Sequence, residues 1–189
     1  MGAMPSLPKP DWPLSDGVVS LRRFTLDDVS VVTRACQDPE IPRWTASIPT
    51  PYEERHAREW ISRHDGWWAS GERAPFATCS ATAGDFLGSM GLTGIDWDRL
   101  IGAAGYWAAS WARNTGATTR ALRLLCGWAL DVVNLDAIEL MTVIGNLASE
   151  RVAEKAGFKL TETIDDYAPR RALAPGSTYQ VRYWVLRSG

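Results

Sequence analysis

The sequence has few of the features that mark membrane proteins, disulfide-bonded proteins or metalloproteins. No apolar run approaches the roughly 20 residues that a membrane-spanning helix needs. There are three cysteines, an odd number set far apart, which indicates free buried thiols in a reducing cytoplasm. The two histidines, His56 and His64, do not have the one-turn spacing that brings two imidazoles onto one metal ion. We therefore expect no membrane association and no metal site.

The charge pattern argues against a nucleic-acid surface. The formal net charge is −2, and lysines and arginines form no long run. The N-terminus also lacks the basic segment followed by an apolar segment that is typical of a signal peptide. We therefore expect a cytoplasmic protein that does not bind nucleic acid.

The length of 189 residues suits one domain with a substantial core. Residues 1–13 contain four prolines and little apolar periodicity. We predict a flexible arm over residues 1–15, whose first residues we interpret as a cloning remnant, and a single domain over residues 16–189. Tryptophan is abundant, with ten copies, and most of these side chains are expected in the core or in pocket walls.

The order of the predicted elements is that of an α/β (α+β) protein with one mixed sheet of about seven strands and four helices. Residues 38–49, between the first two helices, form either a pocket-lining loop or a loop packed over the core. The predicted strands cover residues 18–24, 75–82, 86–95, 103–110, 137–144, 158–164 and 178–186. The predicted helices cover residues 26–37, a segment from Thr50 to Gly71, a segment from Gly116 to Asn134, and residues 147–156.

Residues 105–118 read as a strand, a short loop and a helix start. Such a turn directs backbone N–H groups and the positive end of a helix at one point, where a phosphate could bind. Arg113 and Arg120 could add charge-assisted hydrogen bonds. A single glycine, Gly116, in such a loop is a weak signal, and most loops of this kind bind nothing.

A second segment, residues 146–158, begins at the C-terminal end of the predicted buried strand, where ligands of such sheets bind. Asn146 offers a donor and an acceptor to an amide-bearing ligand. Ser149 lies one turn further on, and its hydroxyl could protonate a departing thiolate. Alternatively, Asn146 is a helix cap and Ser149 a surface serine of the first turn.

These residues resemble the GNAT N-acetyltransferases, in particular the RimJ/RimL-like branch that acetylates protein N-termini and small amines. The resemblance runs from about residue 18 to the end of the chain. The Gly105-Tyr106-Trp107 strand and the Arg113-x-x-Gly116 loop fit the cofactor strand and the pyrophosphate loop of that family. The most specific match is Asn146-x-x-Ser149-x-Arg151-Val152-x-Glu154-Lys155-x-Gly157-Phe158.

The resemblance implies a GNAT fold in which strands 4 and 5 of the predicted sheet splay apart. It implies acetyl-CoA, or another acyl-CoA or phosphopantetheine thioester, as co-substrate, with the pantetheine arm in the gap and the pyrophosphate on the loop amides. A strand N–H polarises the thioester carbonyl, and the amine attacks directly in a ternary complex. The implied acceptor is a small-molecule or peptide amine, and the protein is a monomer or a homodimer.

The resemblance also implies roles for individual residues. Ser149 is the candidate acid for the leaving thiol, and Glu139 is a weaker candidate for the general base. Apart from the resemblance, the tryptophan set that includes Trp44 and Trp97 suggests an aromatic-walled acceptor site, although core packing explains some of these side chains equally well. Tyr106 is a further candidate for the acceptor site. The candidate cofactor-binding residues are Trp107, Ala108, Arg113, Asn114, Thr115, Gly116, Ala117, Thr118, Asn146 and Arg151.

Four positions depart from the family pattern. Thr118 stands where Gly or Ala is usual, Asn114 replaces a common second Gly, and Thr115 replaces a frequent basic residue. Ala103 stands where related sequences often carry Glu, which removes one usual candidate for the general base and leaves Glu139 or a water relay. These departures keep two alternatives open: an acyl carrier protein as the donor, and a catalytically idle GNAT fold that binds a ligand or a partner.

Overall fold

The computed structural model describes residues 6–45, 48–167 and 179–189, which form one eight-stranded mixed sheet flanked by helices. The strand order is β1-β2-β3-β4-β5-β6-β8-β7. The strands are β1 Leu14–Ser15, β2 Val19–Arg22, β3 Ala74–Ser80, β4 Phe86–Asp96, β5 Ile101–Ala108, β6 Ala137–Val143, β7 Lys159–Tyr167 and β8 Tyr179–Arg187. The α-helices are α1 Val29–Cys36, α2 Glu40–Trp44, α3 Glu54–Ser62, α4 His64–Ser70, α5 Ala117–Asp131 and α6 Leu147–Ala156.

The two faces of the sheet carry separate apolar cores. On one face, α1, α2 and α3 cover Ala77 and Cys79 of β3 and Phe86 of β4. On the other face, α5 packs over Phe76 of β3 and Met90 of β4, and α6 packs against α5 and β6. Because successive side chains of a strand point to opposite faces, the fully buried β3 contributes to both cores.

The single parallel pairing among the described strands joins β5 to β6, and it is short. Three register pairs connect them: Ile101↔Ala137, Gly102↔Ile138 and Ala103↔Glu139. Beyond Ala103, β5 remains paired with β4 as far as Ala108, whereas β6 remains paired with β8 as far as Val143. The two strands therefore separate into a V, which confirms the predicted mixed sheet with a splayed pair.

The helix that follows β6 is bounded as its sequence predicts. The Asn146 side chain accepts a hydrogen bond from the Ser149 N–H at 3.2 Å, which satisfies one of the free donors of the first turn. At the other end, Gly157 has φ of +100°, a left-handed conformation that glycine adopts without a steric penalty. Helix α6 spans residues 147–156, as expected.

The N-terminal segment differs from the flexible arm predicted for residues 1–15. Leu7 is buried in the core, and its N–H donates to the Trp68 carbonyl at 3.3 Å. Trp12 contacts the Trp68 and Phe76 rings with centroids 5.7 and 5.5 Å apart. The apolar side chains of Leu7 and Trp12 pack residues 6–15 against the domain, although the prolines of this segment favoured a flexible arm. Residues 1–5 lie outside the described part.

Three smaller differences concern element boundaries. The predicted second helix is two helices, α3 and α4, separated at Arg63, and α3 starts after Glu53 rather than after Thr50. The predicted loop over residues 38–49 contains the short helix α2. The two-residue strand β1 is the eighth strand, and Thr178, predicted to open the last strand, lies outside the described residues.

Three further features of the described residues concern membrane helices, cysteines and metal-binding side chains. Among them no helix has both the length and the apolar character needed to cross a bilayer. Cys36, Cys79 and Cys126 are free and buried. No group of histidine, cysteine and acidic side chains in the described ranges has the arrangement of a metal site.

His64 on α4 makes the stability of the fold depend on pH. The side chain is 6 % exposed, lies against the Trp60 and Phe24 rings, and has no hydrogen-bond partner among the described residues at either ring nitrogen. Burial lowers the pKa of His64 from 6.5 to about 4. The neutral form therefore contributes stability above pH 6.5 that is lost as the pH falls through about 4, because the unfolded chain binds the proton more readily.

We expect the free energy of unfolding to fall on the order of 3 kcal/mol between neutral pH and pH 4 through this group alone. Urea denaturation of the wild type and of His64→Phe over this pH range measures the effect, with His56→Phe on the neighbouring helix as control. An equally steep loss of stability in His64→Phe and in the wild type would show that His64 does not cause it.

Candidate active site

The V between β5 and β6 opens into a cavity of about 770 Å³. Both strands form its walls, the β5–α5 loop and the start of α6 border it, and α2 lies on a further side. Its lining includes residues 103–108 of β5, 140–143 of β6, Ala112, Arg113, Asn114, Gly116, Thr118, Thr119, Asn146, Ala148, Ser149, Arg151, Val152, Lys155, Glu40, Ile41, Trp44, Thr45 and Thr93.

The β5–α5 loop presents the N-terminal end of α5 to this cavity. Gly116 has φ of +82° and Asn114 φ of +61°, so the chain turns sharply before the helix. The first intrahelical hydrogen bond runs from the Arg120 N–H to the Gly116 carbonyl at 3.2 Å. The N–H groups of Thr118 and Thr119 precede that bond, and both residues line the cavity, so the helix end can accept an anion there.

The two arginines predicted to assist an anion are both ion-paired with carboxylates. Arg113 lines the cavity and lies 2.7 Å from Asp38, whereas Arg120 lies 2.8 Å from Asp16 and is not part of the lining. The Arg120 side chain therefore links α5 to the N-terminal segment through its ion pair with Asp16. Of the two, only Arg113 is placed to meet a ligand in the cleft.

Two hydroxyl groups meet across the cleft between β5 and α6. The Tyr106 hydroxyl lies 2.9 Å from Ser149 Oγ and 3.3 Å from the Ser149 carbonyl. Burial raises the pKa of Tyr106 to about 12, which the hydrogen bond with Ser149 partly opposes. The phenol therefore stays protonated at physiological pH, and the pair can pass one proton to a group in the cleft.

The structure brings most of the predicted site residues to this cleft. Trp107 and Ala108 line it from β5, Asn146 and Arg151 from α6, and Trp44 from α2. Thr115 and Ala117 lie within the loop but outside the lining. The Thr115 hydroxyl donates to the Ala112 carbonyl at 2.7 Å and accepts from the Ala117 N–H at 3.3 Å, so it stabilises the turn from inside.

Glu139 and Trp97 do not line the cleft, in contrast to their predicted roles. Glu139 forms the last register pair with Ala103, where β5 and β6 are still joined, and the β6 lining begins one residue later, at Leu140. Trp97 belongs to the turn after β4 and packs against the core that α5 covers. Nothing in the sequence pattern indicated that Glu139 and Trp97 lie outside the cleft.

Several cleft residues were not predicted, namely Glu40, Thr45, Thr93, Thr119 and Lys155. Lys155 lies within the segment that carried the resemblance and follows Arg151 by one helical turn, so its spacing could have indicated it. Glu40 and Thr45 lie in the segment read as a loop, where no periodicity relates them to the strands.

The left-handed backbone at Gly116 is a testable feature of the loop. A Cβ atom there would meet nothing within 4 Å, so Gly116→Ala changes backbone strain without a clash. We expect it to lower the free energy of unfolding by about 1–2 kcal/mol, because other residues adopt this conformation unfavourably. Chemical denaturation measures the change.

Gly127 provides a matched control inside the same helix, since a Cβ atom there also meets nothing within 4 Å. Gly127→Ala should raise the free energy of unfolding by about 0.5–1 kcal/mol. Two substitutions that change stability in the same direction would contradict this account of the loop.

Comparison with known proteins places this geometry in a family. The acetyltransferase (GNAT) domain model matches residues 19–159. RimJ of Mycobacterium smegmatis, solved with a CoA disulfide, is 21 % identical, with a TM-score of 0.79 over 91 % of this chain and 83 % of that one. A search of curated proteins gave no match.

Two further solved structures share the fold. RimL, a ribosomal L7/L12 alpha-N-protein acetyltransferase in complex with coenzyme A, has a TM-score of 0.81 at 14 % identity, covering 93 % of this chain and 96 % of its own. The microcin C7 self-immunity acetyltransferase MccE, in complex with acetyl-CoA and AMP, has a TM-score of 0.80 at 14 % identity, covering 93 % and 94 %. The family match spans most of the sheet and the whole cleft, and the chain belongs to the GNAT acetyltransferases.

Proposed function

We propose that this enzyme transfers an acetyl or other acyl group from acyl-CoA to a primary amine by direct attack in a ternary complex. The observation that carries the proposal is the cleft itself, an open V with the N-terminal end of α5 at one border and a hydroxyl pair between its walls. The family membership makes acyl transfer the expected chemistry of such a cleft.

The parted strands suit the pantetheine arm of the donor. Beyond Ala103 the β5 backbone faces the cavity instead of β6, so its N–H and C=O groups on that side can pair with the amides of an extended arm. The pyrophosphate would then lie against the amides at the start of α5. Arg151 and Lys155, one turn apart on α6, add positive charge to the same cleft.

The reaction needs one bond formed and one bond broken. The uncharged amine attacks the thioester carbonyl, an N–H of β5 stabilises the developing oxyanion, and the C–S bond then breaks. The thiolate takes a proton from the Tyr106–Ser149 pair, the nitrogen loses its proton to water, and a proton from that water restores the hydroxyl pair. Glu139 is outside the cleft lining. A water relay therefore takes its place as the base, and an amine that arrives uncharged needs no base before it attacks.

The identity of the donor is tested by calorimetry. The solved RimL and MccE complexes hold coenzyme A and acetyl-CoA, which supports CoA as the donor here. Asn114, Thr115 and Thr118 depart from the loop pattern of the family, and this altered loop is the feature that favours a carrier-bound acyl group. Micromolar binding of acetyl-CoA supports the proposal, and no binding up to millimolar concentrations would favour the carrier.

Transfer itself is tested by the release of free thiol from acetyl-CoA with a panel of primary amines, together with mass spectrometry of the products. An acylated amine supports the proposal. Tight binding of acetyl-CoA without transfer to any amine would instead support a GNAT fold that serves as a ligand-binding module.

The hydroxyl pair predicts a non-additive effect on turnover. Ser149→Ala or Tyr106→Phe should each lower kcat by about tenfold to a hundredfold, because either change removes the proton path to the thiolate. The double variant should be no slower than the slower single variant, since both groups serve one step. Steady-state thiol release measures these rates.

Ser62→Ala, a serine of α3 outside the cleft lining, is the control and should keep full activity. If Ser149→Ala keeps near-full turnover with an unchanged pH profile, Ser149 is a structural residue of α6 and does not protonate the thiolate.

A further inference from the structure

Helix α2 lies across the open end of the V and contacts both sides. At its start, one Asp38 carboxylate oxygen accepts from the Glu40 N–H at 3.0 Å and the other lies 2.7 Å from Arg113 of the β5–α5 loop. At its end, the Trp44 ring lies 4.0 Å from where a Cβ atom of Gly145 would sit, in the turn after β6. Whatever enters the cleft from this side must pass α2.

Glu40 is the one acidic side chain among the described residues that line the cleft. The other charged lining residues are Arg113, Arg151 and Lys155. Glu40 therefore supplies negative charge to a cleft whose other charged lining residues are positive. It also lies beside Trp44, the aromatic side chain of the same helix that faces the cleft.

Glu40 and Trp44 already bind one cationic group of the protein, the side chain of Arg43. The Arg43 guanidinium lies 3.1 Å from the Glu40 carboxylate and 4.8 Å from the centre of the Trp44 ring. The Trp44 Nε1–H also donates to Glu40 at 3.3 Å, which fixes the ring relative to the carboxylate. A carboxylate next to an aromatic face is the arrangement that binds organic cations.

The charge of Glu40 is maintained by its neighbours. The hydrogen bonds from Arg43 and Trp44 hold the pKa of Glu40 below its ordinary value, and the charge of Arg113 adds to this.

On the basis of the proposed transferase function, we propose that the acceptor is a primary amine that carries a second, positively charged group. Glu40 and Trp44 bind that second group in place of the Arg43 guanidinium. The reacting amine must be uncharged in order to attack, so the charge that is recognised belongs to another part of the acceptor. Diamines and amines next to a basic side chain have this chemistry.

The same trio of side chains occurs once more, away from the cleft, and provides a matched control. Glu72 lies 3.1 Å from Arg73, whose guanidinium is 5.0 Å from the Trp67 ring centre. None of these three residues lines the cleft. A general effect of removing a surface carboxylate would therefore appear equally in Glu72→Gln and in Glu40→Gln.

The test compares cadaverine with pentylamine, two primary amines of equal chain length of which only the first carries a second cationic group. With saturating acetyl-CoA, we expect the wild type to prefer cadaverine by about tenfold or more in kcat/KM. Glu40→Gln should remove most of this preference by raising the KM for cadaverine several-fold more than the KM for pentylamine. Glu72→Gln should keep the wild-type preference.

Arg43→Gln distinguishes binding of the acceptor by Glu40 and Trp44 from a structural role of α2. Arg43 does not line the cleft, and its guanidinium occupies the position on Glu40 and Trp44 that the acceptor would take. This variant should increase kcat/KM for cadaverine by a few-fold, opposite in sign to Glu40→Gln. A purely structural role of α2 would lower activity in both variants and for both amines.

The outcomes distinguish the two proposals. Transfer to both amines with equal efficiency, or an unchanged preference in Glu40→Gln, overturns the acceptor inference and leaves the transferase proposal intact. If no amine is acetylated, the transferase proposal fails. In that case, calorimetric binding of cadaverine in the presence of CoA supports the recognition of a cationic group by Glu40 and Trp44 if it is lost in Glu40→Gln, and equal binding of pentylamine overturns that recognition.

Discussion

The separation of β5 from β6 after Ala103 is the constraint on which the site depends. Each strand keeps its other neighbour: β5 stays paired with β4 to Ala108, and β6 with β8 to Val143. At Gly88 a Cβ atom would lie 2.4 Å from the Trp107 carbonyl oxygen, so glycine there permits the close approach that holds β5 on β4. The gap is thus the boundary between two half-sheets that meet in the three register pairs of β5 and β6.

This geometry gives the cleft residues their relation to one another. Gly116 and Asn146 end the loops that follow the two parted strands, so the N-terminal ends of α5 and α6 border the same space. Tyr106 reaches from one strand to Ser149 beyond the other. Helix α2 closes the open end through Asp38 and Trp44. The N-terminal end of α5, a pair of hydroxyl groups and an acidic side chain therefore border one cavity although they come from distant parts of the chain.

The elements with strong local signals could be predicted from the sequence. Helix α6 has a capping asparagine and a terminal glycine, and its bounds agree with prediction, because both signals act within a few residues. The Asn146–Phe158 motif identified the family before any contact was known. The break at Arg63 and the short helix α2 carried no such local signal and depend on packing against the sheet.

The pairings of the site residues could not be read from the sequence. Arg113 was expected to be free for an anion and is held by Asp38, which lies in another element. Tyr106 was a candidate for the acceptor site and its hydroxyl lies beside Ser149, whereas Glu139 was a candidate base and lies where the strands are still joined. Such contacts depend on strand register and splay, which residue spacing along the chain does not determine.

The central claim is that the parted strands hold a donor arm whose phosphates rest on the start of α5. A crystal structure of the protein with coenzyme A tests it most directly. The account predicts the pantetheine arm paired with the β5 backbone beyond Ala103, its thiol near the Tyr106–Ser149 pair, and its diphosphate within hydrogen-bond distance of the Thr118 and Thr119 amides. Coenzyme A bound elsewhere, with the V between β5 and β6 unoccupied, would contradict it.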